Sequence, residues 1–299
     1  MQRFFLLLIV IGLAFVTQVQ TSTNQSSHSK TSDAHLLEIG QAARLRSTPT
    51  PSGEIKVVSY NIRWRGGSEL LKLAQALKED PEVGGASILG LQEVDRNRKR
   101  TGNTNTAKLL AEELGMHYAW AAPPNPKPGK EEETGVLLLS PYPLSDVQRI
   151  VLPHEGPGRR RRAGIGATVK IGSSSLRVYS VHSETRISTD KKLDQMKAVL
   201  KDLARYPKDV PAIVMGDLNT WEPGVGDKTS KLFTGEGFHT PFDGDATFSQ
   251  RVFLVPIKLR LDWIWLRNIE ATKAGIDKKI SLSDHWPLWV ALKIKPVRV

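Results

Sequence analysis

Not one of the 299 residues is a cysteine. That absence removes disulfide frameworks, zinc–thiolate centres, iron–sulfur clusters and thiol nucleophiles from consideration. It also removes a lipoprotein-type lipid anchor. No repeat at a fixed short period is visible, so solenoid and propeller architectures drop out. Acidic residues are in the minority, 31 against 42 basic ones, which leaves a net charge of +11. A balance of that sign favours polyanionic partners such as nucleic acid, phospholipid head groups or anionic envelope polymers, without choosing among them.

Residues 4–16, after the single positive charge of Arg3, form an uncharged apolar run of 13 residues. That is short for a bilayer span but suits the apolar region of an export signal. Residues 1–20 are therefore expected to be a signal peptide or a short membrane anchor. The protein is expected outside the cytoplasm: periplasmic, secreted or membrane-tethered. Residues 21–53 are rich in Ser, Thr and Gln and end in Ser47-Thr48-Pro49-Thr50-Pro51-Ser52-Gly53. They predict a flexible tether, with one short helix over 36–45. Four basic and two acidic residues lie in 1–53, so +9 of the net charge belongs to residues 54–299, the expected catalytic domain.

From residue 54 onward, short β-branched-rich segments predict strands at 55–60, 88–91, 135–139, 163–171, 176–181, 212–215, 262–266 and 288–294. Helical spacing marks 69–77, 106–114 and 191–203, the last with a stripe of Leu193, Met196, Leu200 and Leu203. Strands outnumber helices. The pattern favours a layered α/β (α+β) fold with stacked sheets over a doubly wound parallel sheet.

Several of these apolar strands end in a carboxylate, carboxamide or imidazole. Val57-Val58-Ser59-Tyr60 runs into Asn61, Ile88-Leu89-Gly90-Leu91-Gln92 into Glu93, and Val178-Tyr179-Ser180-Val181 into His182. Ile213-Val214-Met215-Gly216 runs into Asp217-Leu218-Asn219, and Asp262 and Asp284-His285 follow near the C-terminus. Strand ends on one sheet edge are where a fold gathers distant side chains into a cleft. Taken singly, Asp-Leu-Asn also reads as an Asx-turn, and a histidine after a strand as a hydrogen-bonded structural residue. Asp262, flanked by Leu261, Trp263 and Ile264, needs a partner if buried. A set of oxygen ligands without cysteine points to a hard cation, Mg²⁺ or Mn²⁺.

Six motifs stand in a fixed order: Ser59-Tyr60-Asn61-Ile62, Leu91-Gln92-Glu93-Val94, Val181-His182-Ser183, Met215-Gly216-Asp217-Leu218-Asn219-Thr220, Leu261-Asp262-Trp263 and Ser283-Asp284-His285-Trp286-Pro287. Together they resemble the endonuclease/exonuclease/phosphatase superfamily. The resemblance implies a deoxyribonuclease-like four-layer sandwich, two stacked β-sheets flanked by helices, with a metal site at one edge. It implies Glu93 as principal ligand of Mg²⁺ (Mn²⁺ in its place), with Asp284 near the metal and Asn61 in the metal or phosphate shell. Asp217 would orient or deprotonate the attacking water, Asn219 would hold the nucleophile or a phosphate oxygen, His285 would donate a hydrogen bond to the phosphate, and His182 matches a second catalytic histidine of the deoxyribonuclease and sphingomyelinase branches. Asp262 would fix the His285 tautomer.

The expected activity is phosphodiester hydrolysis. Nucleic acid is the favoured partner, and a phospholipid or phosphorylated small molecule is the rival. A non-catalytic DNA- or anion-binding protein is a third reading. A monomer is expected, without an obligate protein partner. The run Arg159-Arg160-Arg161-Arg162 reads either as a solvated loop or as a phosphate clamp, with Arg162 facing the substrate. Trp263 and Trp265, two apart on one strand, are expected to share one packed face.

Overall fold

The computed structural model describes residues 33–48, 54–126, 131–242, 244–252 and 255–294. The proposed signal segment at 1–20 lies outside them. The elements described belong to one compact unit, which begins at His35. Among the described residues no helix is long and apolar enough to cross a membrane.

In chain order the elements are β1 (Leu37–Gln41), β2 (Glu54–Asn61), α1 (Gly67–Glu79), β3 (Ile88–Arg96), α2 (Thr106–Leu114), β4 (His117–Ala121), β5 (Glu133–Ser140), β6 (Leu144–Val151), β7 (Ala163–Ile171), β8 (Ser174–His182), α3 (Thr189–Leu203), β9 (Ala212–Asp217), α4 (Val225–Gly235), β10 (Phe248–Val252), β11 (Val255–Leu259), β12 (Asp262–Arg267), β13 (Ala271–Ile276) and β14 (Leu288–Lys293). One sheet has the order β1-β4-β5-β3-β2-β14-β13 and the other β12-β9-β8-β7-β6, while β10 and β11 form a separate hairpin.

Alternation along the strands assigns each side chain to a layer. Val57, Ile88, Leu138 and Leu288 of the first sheet meet Ile165, Val178, Ile213 and Ile264 of the second in a sheet-on-sheet core. Their neighbours point the other way: Val58 and Leu89 pack on Leu70 and Leu73 of α1 and Leu110 of α2. Across the molecule, Val214 and Trp265 pack on Met196 and Val199 of α3 and Phe233 of α4. The result is the expected four-layer sandwich. Trp263 and Trp265 do share a face, their rings stacked at 5.0 Å and 9°, and Phe233 lies parallel to Trp265 at 4.9 Å.

Among the described residues two strand pairs are parallel, β2–β3 and β8–β9. Each is joined through a helix, as parallel neighbours require. The C-terminal ends of each pair therefore lie side by side: Asn61 is level with Gln92, and His182 with Asp217. Antiparallel β12 begins where β9 ends, which puts Asp262 opposite Asp217. Connectivity thus gathers two motif positions in the first sheet and three in the second, and a hydrogen bond from Asn61 to Asp217 joins the two groups.

Residues 36–45 are not the expected helix, and a strand lies within the segment expected to be a tether. Leu37–Gln41 is an edge strand paired with β4 from Leu37↔Ala121 to Gln41↔His117. A helix of ten residues is too short to repay its nucleation cost alone, whereas an open sheet edge offers a ready ladder. Gly40 permits it, because a side chain there would strike the Tyr118 ring at 2.7 Å. Strands β4, β6 and β13 and helix α4 were not apparent from periodicity. In β6 the residues are only half-buried or exposed, so no clean alternation exists to read.

Candidate active site

Asp217 ends β9, and Gly216 before it has φ 139°. A Cβ at Gly216 would run into the Val181 carbonyl oxygen, so only glycine lets β9 pass this close to β8. The Asp217 carboxylate is fully fixed by donors from two motifs. Asn61 Nδ2 donates to Oδ2 (2.9 Å), and the backbone N–H of Asn219 donates to Oδ1 (3.0 Å). Asn219 itself sits at φ 50°. Its Nδ2 donates to Ser183 O (3.0 Å) and its Oδ1 accepts from Thr185 (3.2 Å).

Both motif histidines face this carboxylate. His285 Nδ1 bonds Asp262 Oδ2 at 2.8 Å, and its Nε2 lies 3.8 Å from Asp217 Oδ2. Thr247 Oγ1 donates to the same Asp262 oxygen (2.7 Å) while accepting from the Leu261 and Asp262 N–H groups. Phe248 contacts the His285 ring edge-on, with centroids 5.0 Å apart. His182 Nε2 is 3.6 Å from Asp217 Oδ2 and 3.9 Å from Glu93 Oε1. Its Nδ1 lies 3.3 Å from Arg162 Nη1. Guanidinium only donates, so Nδ1 must accept and the ring proton resides on Nε2, aimed at the cleft.

The two imidazoles consequently differ in charge. Burial alone would neutralise His285, but Asp262, Asp217 and Asp284 outweigh it and raise the imidazolium pKa to about 10. For His182, burial and the positive charges of Arg162, His285 and Arg160 act together and hold it well below its ordinary value. Burial pushes Asp217 up to about 7 against the pull of His285. Glu93 is likewise raised by burial, against Arg162 and His285.

These side chains line a cavity of about 530 Å³ that also takes in Asn219, Asp284 and the β10–β11 hairpin residues Gln250 and Ile257. The sequence profile described as the Endonuclease/Exonuclease/phosphatase family matches residues 58–285. The chain belongs to that family. A solved family protein from Leptotrichia buccalis is similar over 80% of this chain and all of its own, with TM-score 0.64 and 18% identity. D. rerio TDP2, solved with a single-strand DNA product, is similar over 81% of this chain and 99% of its own at TM-score 0.62 and 14% identity. ANGEL2, described as a 2',3'-cyclic phosphatase and solved with adenosine-2',3'-vanadate, covers 86% of this chain with 98% of its own, at TM-score 0.58 and 14% identity. No curated protein matches the sequence significantly. At these identities the structures establish a shared fold.

For the family's divalent metal, the donor set fits at Glu93. Its Oε2 is buried with no protein partner among the described residues. Glu93 sits at φ 58° within a β-bulge between Gln92 and Val94, a strained placement of the kind found where side chains are re-aimed. Asp284 is less free, since its Oδ2 pairs with Arg63 at 2.9 Å. Asp217, Asp262 and His285 also bring ligand atoms within 4.8 Å of one another.

Other residues here were missed in the sequence. Glu184, wholly buried, accepts two bonds from Arg160 (3.0 and 2.6 Å) and lies 3.4 Å from Arg162 Nε. Two of the four arginines in the run are therefore held by one buried carboxylate, and Arg162 reaches the site through His182. On α3 the buried face is Lys192, Gln195, Met196, Val199 and Leu203, with Leu193 and Leu200 only half-buried. Lys192 Nζ donates to Asn219 O (2.7 Å) and pairs with Glu222. Gln195 accepts from Glu184 N–H (2.8 Å). The signal was present as Lys192 and Gln195 at i and i+3 beside Met196, but a polar pair on a core face reads as solvent-facing until its partners are known.

Proposed function

We infer that the chain is a Mg²⁺-dependent phosphodiesterase acting on nucleic acid. The observation that carries this reading is the opposed pair of imidazoles around one buried carboxylate: charged His285 and neutral His182 both direct Nε2–H toward the space in front of Asp217. Two such donors suit a phosphate that gains charge in the transition state. Asp217, held on both oxygens and raised to about 7, is poised to orient an attacking water and accept its proton. Asn61 and Asn219 keep that carboxylate in line, and Asp262 with Thr247 keeps Nδ1 of His285 engaged so that Nε2 faces the ester. Glu93, with Asn61 and Asp284 nearby, would hold the cation, which when bound neutralises phosphate charge. Mn²⁺ is expected to substitute in part. TDP2, solved with a DNA product, and the basic excess of the chain support nucleic acid as the substrate.

A second reading, a phospholipid phosphodiesterase, is favoured by the β10–β11 hairpin, where Val255 and Ile257 are exposed at 65% and 38% beside the cleft. One screen separates the two. Plasmid DNA, single-stranded DNA, sphingomyelin vesicles and inositol phosphates are each incubated with Mg²⁺ and with chelator. Chelator-sensitive release from DNA is expected; release from the vesicles alone would favour the second reading, and none from any substrate would overturn both. We also propose, from the N-terminal sequence, that the protein acts outside the cytoplasm; fractionation of cells expressing the full chain tests it.

A further inference from the structure

A second cavity, of about 280 Å³, adjoins the catalytic one and shares Glu93 and Trp64 with it. Its walls are unlike those of the first. Arg98, Arg100, Arg160, Arg161 and Arg162 all line it, with a Pro123-Pro124-Asn125-Pro126 segment on one side. These arginines are of two kinds. Arg100 is clamped on buried Asp95 by bonds of 2.6 and 2.9 Å, and Arg160 on buried Glu184. Arg98 and Arg161 have only half-exposed partners, Glu132 at 3.9 Å and Glu155 at 3.3 Å. Ion pairs of that kind are weak and exchange readily for a better anion, and buried Nε of Arg98 has no partner among the described residues.

Between the two cavities stands Trp64. It is 37% exposed, and the clamped Arg100 guanidinium lies 3.9 Å from its ring centroid. Trp64 and its neighbour Arg63 both have positive φ, 56° and 44°. Two successive non-glycine residues in that region are costly to hold and point to a functional placement. The indole is thus a braced aromatic plate between a site for one phosphate and a cluster of movable arginines.

We propose that the substrate spans both cavities as a single-stranded polynucleotide: scissile phosphate before Asp217, the adjoining unpaired base stacked on Trp64, and the next phosphate taken by Arg98 and Arg161. This rests on the phosphodiesterase reading for the scissile position only. A paired base would have its faces covered, so an exposed ring at this place selects unstacked bases, and a lipid with a single phosphate would leave the arginines unused.

The test is equilibrium binding, independent of turnover. Fluorescence anisotropy of a labelled 12-nucleotide oligo-dT is measured with chelator present, for wild type, Trp64→Ala, Trp64→Phe and Arg98→Ser/Arg161→Ser, each checked by its melting temperature. Trp64→Ala is expected to weaken binding about tenfold or more, with Trp64→Phe restoring part of it. The double serine variant should flatten the slope of log affinity against log salt by up to about 0.7, the value for one phosphate on a single strand. Unchanged affinity and slope in folded variants would overturn the proposal, as would equal binding of a 12-base-pair duplex by wild type. Failure of the activity screen alongside these binding losses would refute the hydrolytic reading and leave the single-strand site standing.

Discussion

At the scale of single residues, His285 and Glu93 carry the chemistry in different ways. His285 is charged because Asp262, bonded at 2.8 Å, and Asp217 outweigh its burial. His285→Ala is expected to lower turnover at least about a hundredfold in a folded protein, the scale on which positioned acid–base and electrostatic groups contribute. Asp262→Asn should cost less, and the double variant should be no worse than His285→Ala alone, since the two act as one unit. Steady-state kinetics on a chromogenic phosphodiester reads all three; near-wild-type turnover in the alanine variant would sink the assignment. Glu93 differs in having a buried oxygen with no protein partner among the described residues. A neutral amide is a poorer ligand for a hard cation, so Glu93→Gln should shift the Mg²⁺ dependence of activity to higher concentration. Activity that survives chelation in wild type would refute the metal role.

At the scale of elements, the edge strand and the third helix make distinct contributions. Glu38 on β1 accepts from Tyr118 (2.6 Å), Asn105 (2.9 Å) and Arg96 (3.0 Å), tying the strand to β4, the start of α2 and the end of β3. Burial would raise its pKa, yet those donors prevail and lower it below 4.5. A carboxylate with a depressed folded-state pKa contributes stability above its unfolded value and loses it as pH falls through the folded one. Glu38→Gln is therefore expected to cost about 1–2 kcal/mol near neutrality, with the difference from wild type closing as pH falls below 4.5. Urea melts at pH 7 and pH 3.5 measure it. On α3, Lys192 reaches across to the carbonyl of Asn219, whose φ is 50°. Lys192→Met should let that turn drift. A kcat loss of about tenfold with KM little changed is expected, as small misplacements at a reacting site cost on this scale, and Lys192→Arg should recover part of it. Equal losses in both variants, matched by melting temperature, would mean a purely structural role.

At the scale of the whole molecule, the net charge of +11 acts on encounter more than on chemistry. Cleavage of a polyanion should slow steeply as salt rises, while a small phosphodiester is little affected, because counterion release scales with the phosphates contacted. Parallel kcat/KM measurements across a salt series test this, and equal slopes would discount the field. The four-layer frame was legible from residue 54 onward because its central strands are fully buried, so their apolar runs are unbroken. The strand at Leu37–Gln41 was not legible. Its burial pattern is mixed and its conformation is set by pairing with β4. Likewise Arg160 and Glu184 stand 24 residues apart, and nothing local in either stretch announces their bond.

The sequence by itself determined which polar side chains stand beside apolar runs: Asn61, His182 and Asp217 close β2, β8 and β9 and Asp262 opens β12, whereas Glu93 lies inside β3 at its bulge and His285 ahead of β14. It also excluded thiol chemistry outright. What only the tertiary structure decided is the state of those groups. Whether an imidazole is charged or neutral depends on which charges burial forces beside it: Asp262 and Asp217 for His285, Arg162 for His182. Those neighbours come from strands far apart in the chain, and electrostatic energy depends on distance through space in a medium that burial has made poor at screening.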